Sequence, residues 1–97
     1  MLEPLGETAD LAEVFLLIGK ALANLGNYRE AETAFLDAES LFRRTDNTDG
    51  RISAANQLAR VYFIRSEFKS SLKYLLEAVK LADHLGDRRQ LAFLWGN

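Results

Sequence analysis

The side chains able to do acid–base, nucleophilic or ligating chemistry are few and scattered. His84 is the only histidine and there is no cysteine, so neither a nitrogen-and-sulfur zinc site nor a thiolate nucleophile can be assembled. Near the end of a helical segment, His84 suits a surface position where a cation complements the helix dipole. Ser66, Ser70 and Ser71 have no histidine close by to serve as base and read as capping or packing residues. Carboxylates recur beside basic residues at helical spacing, as in Lys73 and Glu77, which describes a solvated face. The glycines stand singly, so no run of backbone amides can cradle a phosphate. Arg43, Arg44, Arg51, Arg60, Arg65, Arg88 and Arg89 are spread over several segments and suit ordinary solvation better than one anion patch. Trp95 could stack on a ligand, but its alignment with Phe15 favours packing. These residues argue against catalysis and against a metal or cofactor.

Composition narrows the class further. The 97 residues make one domain, 48% hydrophobic and 27% charged, in the range of a water-soluble helical protein. Twelve basic and fourteen acidic residues leave a net charge of −2. Nucleic acid is disfavoured as a partner, because neutralising phosphates needs a concentrated positive surface. The longest apolar run, residues 14–18, is too short to span a membrane. The opening Met1-Leu2-Glu3-Pro4 lacks the basic and apolar regions of a signal peptide. With no cysteine, a reducing cytoplasm is the simplest home.

Helical periodicity accounts for most of the chain. Ile18 and Leu22 are four apart and share a face, with Gly19 beside them. Gly19 weakens a helix by roughly 1 kcal/mol relative to alanine, which makes sense where another helix must come close. Gly26 can stop this first helix by taking a left-handed backbone. Asn27 and Glu30 form a capping-box pattern for the next. Ala31, Phe35 and Ala38 then make a small-large-small stripe. The spacing predicts helices over residues 7–25, 28–44, 51–65 and 68–85, with Ser66 as a cap for the fourth. The polar stretch Thr45-Asp46-Asn47-Thr48-Asp49-Gly50 marks the junction between the two pairs. Asp87-Arg88-Arg89-Gln90 predicts the start of a fifth helix that is cut short at Asn97.

The pattern recurs forty positions later. Gly19, Tyr28, Phe35 and Ala38 fall on Ala59, Phe68, Leu75 and Ala78, and Leu5-Gly6 falls on Leu85-Gly86 after two such steps. The order Ile18-Gly19, Leu22, Tyr28, Ala31, Phe35, Ala38 resembles the tetratricopeptide repeat, a helix-turn-helix unit with small and large residues at fixed offsets. Phe15 stands where the family usually has Trp, and Arg43 where it has Pro. A step of forty exceeds the usual ~34 and is similar to the longer repeats of spindle adaptors, kinesin light chains and bacterial signalling and transcription regulators. The resemblance implies an all-α solenoid of antiparallel helix pairs. Repeat 1 would span about 7–45, repeat 2 about 46–85, and 86–97 would begin a third, in a fragment of a longer array.

The resemblance also implies a site. The family's first helices line a concave groove for a peptide. Matched positions are Glu13, Leu16, Leu17, Lys20, Ala23 and Asn24 in repeat 1, and Ser53, Asn56, Gln57, Arg60, Phe63 and Ile64 in repeat 2. Asn24, Asn56 and Gln57 can bond a peptide backbone through their amides. Lys20 and Arg60 can hold a carboxylate, and Phe63 offers an apolar contact. The Lys/Asn clamp of chaperone-binding members is not matched, since Leu16 stands at its first position and Lys20 at its second. The expectation is a non-enzymatic protein- or peptide-binding module of a larger bacterial, cytoplasmic regulator. The rival is a structural, self-associating module, a homodimer through apolar end helices that lack neighbours.

Overall fold

The structure, a computed structural model, describes residues 5–96 and the side chains of residues 10–86. Every element among them is a helix: α1 (Leu5–Asn24), α2 (Tyr28–Arg44), α3 (Thr48–Ile64) and α4 (Phe68–Gly96). α1 packs on α2 and α3 on α4, and the two pairs meet chiefly through α2 and α3, with a smaller contact of α1 on α3. This is the expected all-α stack of two helix pairs.

Three turns of one design join the helices. Each places a left-handed residue just past a helix end: Gly26 (φ 85°), Asp46 (φ 59°) and Ser66 (φ 64°). The next backbone N–H then reaches back to a carbonyl five residues earlier, Asn27 to Leu22 (2.9 Å), Asn47 to Phe42 (2.8 Å) and Glu67 to Tyr62 (2.8 Å). That bond satisfies a carbonyl the helix end leaves bare. Successive turns lie twenty positions apart, so one step of forty is two identical helix-plus-turn units.

Several expected boundaries change. Ser66 cannot cap α4, because its left-handed backbone is the one this turn needs and an N-cap wants an extended one. Asn27 makes no side-chain cap bond, whereas Asn47, whose backbone is extended, accepts from the Gly50 N–H at 2.9 Å. That cap starts α3 at Thr48, three residues earlier than expected. The fifth helix is absent: α4 continues through Gly86, which keeps a negative φ. Glycine permits a left-handed turn without imposing one, and within a helix costs only about 1 kcal/mol. For the same reason Leu5-Gly6, the counterpart of Leu85-Gly86, makes no turn and starts α1. Met1 to Pro4 and the side chains of Trp95 and its neighbours lie outside the described residues.

The core runs through both pairs and includes Leu16, Phe35, Phe42, Leu58, Val61 and Tyr62, with Ala12, Ala31, Ala38 and Ala54 between them. Gly19 has the expected role: a Cβ there would lie 2.5 Å from the Phe35 ring. Its counterpart Ala59 is equally buried and borders Leu75, the counterpart of Phe35. Gly50, expected in a turn, is buried inside α3 with the Phe42 ring against it. Ion pairs fasten the junction between pairs. Glu39 meets Arg43 one helical turn on at 2.8 Å, and Arg51 approaches Glu39 (3.5 Å) and Glu77 (3.4 Å).

Candidate functional site

The exposed side of α3 carries Asn56, Arg60 and Phe63 at spacings of four and three, hence on one face. These three line an open cleft of about 220 Å³ with Ala59 and with Ser71 and Leu75 of α4. Its floor is buried: the Ser71 hydroxyl donates to the Ala59 carbonyl at 2.8 Å, which ties α4 to α3 and leaves no polar group unmet there. Its walls are Leu75 and the largely exposed Phe63, and its rim holds the Asn56 amide and the Arg60 guanidinium. Phe63 meets Phe68 edge to face, with ring centres 5.4 Å apart, which steadies an exposed ring. Such a cleft can take an apolar side chain, with a hydrogen-bonding and a cationic group at its mouth.

The other groove residues are arranged differently. Lys20 and Asn24 are exposed on α1, outside this cleft, and Gln57 is half-buried on α3. Leu16, placed in the groove by the family pattern, is instead in the core. Ser71 and Leu75, which line the cleft, and Phe68, which packs on Phe63, all come from the second pair's later helix and were missed. Leu75 sits at the Phe35 position, and Phe35 is fully buried, so position alone marked Leu75 as core.

A second polar cluster lies where α2 meets α3. The Tyr62 hydroxyl donates to Glu32 at 2.5 Å, Arg65 donates to the other oxygen of that carboxylate at 2.5 Å, and Arg65 also pairs with Glu67 at 2.9 Å. The Tyr62 hydrogen bond, then Arg65, holds the Glu32 carboxyl below its ordinary range against the opposing effect of burial. Burial, then Glu32, pushes the Tyr62 hydroxyl well above its own range. Every member is satisfied within the cluster, which marks it as a clamp between repeats. His84 is exposed on α4. Among the described residues no group of three or more His, Asp or Glu side chains could hold a metal ion. No described helix is long and apolar enough to cross a membrane.

Comparison with curated proteins and with solved structures gives no match. The family model for the tetratricopeptide repeat matches residues 10–84, which takes in both helix pairs and all three turns. This chain therefore belongs to the tetratricopeptide repeat family, whose members are typically non-enzymatic and bind proteins or peptides.

Proposed function

We propose that the chain is the peptide-binding part of a larger bacterial, cytoplasmic regulator of signalling or transcription, with no catalytic role of its own. The observation that carries this reading is the cleft of Asn56, Arg60, Phe63 and Leu75, an apolar slot with an amide and a guanidinium at its rim. The partner it suits is a protein segment with an apolar anchor against Phe63 and Leu75 and an acidic residue facing Arg60. Lys20, Asn24 and Gln57 extend the same chemistry along α1 and α3, by carboxylate pairing and backbone hydrogen bonds. The net charge of −2 speaks against nucleic acid. The test selects peptides from a random display library on the wild-type protein, then measures the selected peptides on Asn56→Ala/Arg60→Ala. Both side chains are exposed, so the fold should persist. A loss of about tenfold or more, roughly 1.4 kcal/mol, is expected, with acidic peptides most affected. Equal binding by the double variant refutes the assignment.

A second reading has its own support. α1 exposes Leu11 and Ile18, with Leu25 exposed just past its end, and α4 exposes Leu72, Leu75 and Val79. Apolar faces at both ends of a stack favour self-association.

A further inference from the structure

We propose that copies of this chain associate head to tail, the α1 face of one on the α4 face of the next, repeating the junction that α2 and α3 make within each copy. The proposal rests on the self-association reading and adds its geometry and register.

The two end faces are copies of the two halves of that internal junction, displaced by one step of forty. On the α2 side the junction uses Glu32 and Glu39, with the buried Phe35 between them in sequence; their counterparts on α4 are Leu72 and Val79, with Leu75 between. On the other side it uses Arg51 and Leu58 of α3 and Arg65 just past its end, whose counterparts are Leu11 and Ile18 of α1 and Leu25 just past its end. Inside the chain Phe35 and Leu58 are fully buried, whereas Leu75 and Ile18 are 46% and 43% exposed. The end faces thus have the shape of the junction without its neighbour.

The charged pairs decide who that neighbour is. Glu32 bonds Arg65 across the junction, and Glu39 approaches Arg51 at 3.5 Å. At the ends, both members of each pair have become apolar together: Leu72 would meet Leu25, and Val79 would meet Leu11. A foreign partner would give no reason for α1 to change in step with α4. A second copy does, because changing one side alone would bury an unpaired charge. Only the rim departs from this: Arg43 and Glu77, 3.8 Å apart, correspond to Asp83 and Asp37, which repel. Arg43 is largely exposed at the junction, so the repulsion sits in water and salt screens it.

Such a contact joins unlike faces and does not close, so it builds open rows whose mass rises with concentration. Sedimentation velocity over tens to hundreds of micromolar, at low and high salt, reads this directly. The wild type should grow beyond a dimer, more readily at high salt. Leu72→Glu and Leu25→Arg each place one uncompensated charge in the contact, and each should weaken association about tenfold or more. The double variant Leu72→Glu/Leu25→Arg rebuilds the Glu32–Arg65 pair between copies and should regain the mass. Both sites are exposed (56% and 75%), and circular dichroism checks that each variant remains folded. A wild type that stays monomeric throughout overturns self-association and this proposal together. One that stops at a dimer, or single variants that weaken association with no recovery in the double, leaves self-association standing and overturns the head-to-tail register.

Discussion

Gly19→Ala should destabilise the protein although it replaces a poor helix former by the best one. The new Cβ would lie 2.5, 2.6 and 2.9 Å from three atoms of the Phe35 ring. Ordinary carbon contacts are about 3.5–4.0 Å, so the ring must retreat by about 1 Å. Phe35 is fully buried, on the helix that also packs against α3, and has no free space to enter. Overpacking of this kind costs about 1–3 kcal/mol, and a blocked ring belongs in the upper half of that range. Subtracting about 1 kcal/mol of helix propensity leaves a net loss of about 1–2 kcal/mol, or a fall in Tm of about 5–15 °C at this size. The second repeat supplies the remedy, since it has Ala59 and Leu75 where the first has Gly19 and Phe35. Phe35→Leu alone should leave a cavity, but in the Gly19→Ala background it gives the methyl group room. The assay is urea unfolding by circular dichroism at low protein concentration, run on both single variants and the double. The double should be more stable than the sum of the singles by at least about 1 kcal/mol. Losses that add to within about 0.3–0.5 kcal/mol, or a Gly19→Ala protein as stable as wild type, would refute the close-approach argument.

Other consequences can be checked in the same way. Gly50→Ala should cost about 1–2 kcal/mol net of the same helix-propensity gain, because the Phe42 ring occupies the place of the added methyl group; a neutral result in urea would show that the ring can swing aside. Ser66→Gly should stabilise by about 0.5–1 kcal/mol, the left-handed strain of about 1–2 kcal/mol relieved less the roughly 0.5–1 kcal/mol of extra chain entropy, and a lower urea midpoint would contradict this account of the turn. Glu32 has its folded pKa lowered, first by the Tyr62 hydroxyl, from an ordinary value of 4.5. Its contribution is therefore complete above that pH and is lost as pH falls through the folded value. Glu32→Gln should lower stability at neutral pH and flatten the acid loss below 4.5; urea midpoints with an unchanged acid slope would exclude this cluster as the cause.

What could be read from the sequence was what depends on spacing, and what could not was what depends on backbone state. The helix pairs and the step of forty rest on apolar residues recurring three and four apart; Ala31, Phe35 and Ala38 reappear in the core, Leu16 joins them from its expected place in the groove, and Ile18 stays exposed. Gly19, Gly26, Gly50 and Gly86 share one letter but have different roles. Gly26 takes a left-handed φ, Gly19 and Gly50 admit a ring, and Gly86 lies within a helix with nothing near its missing Cβ. Its place beside Ile18 and Leu22 identified Gly19 as a point of close approach. Nothing local separated Gly50 from its polar neighbours, because the ring above it comes from another helix. The left-handed residues of the other two turns were hidden differently: Asp46 stands among Asn47, Asp49 and Gly50, which tolerate that backbone as well, and Ser66 does not favour it. Only the interval of twenty from Gly26 ties them together.

The same interval explains why half of the groove could be placed and half could not. Family positions name residues on the first helix of each pair, and Asn56, Arg60 and Phe63 do line one surface. The opposite wall comes from α4, at positions that repeat 1 buries beneath its neighbour. A cleft at the end of a stack is thus a junction without its partner. Its apolar wall, Leu75, is also the residue that a second copy would cover in a head-to-tail row. The peptide-binding and self-associating readings therefore compete for one surface. An anchor seated between Phe63 and Leu75 would cap the row at that end, and a row would close the cleft in every copy but its last.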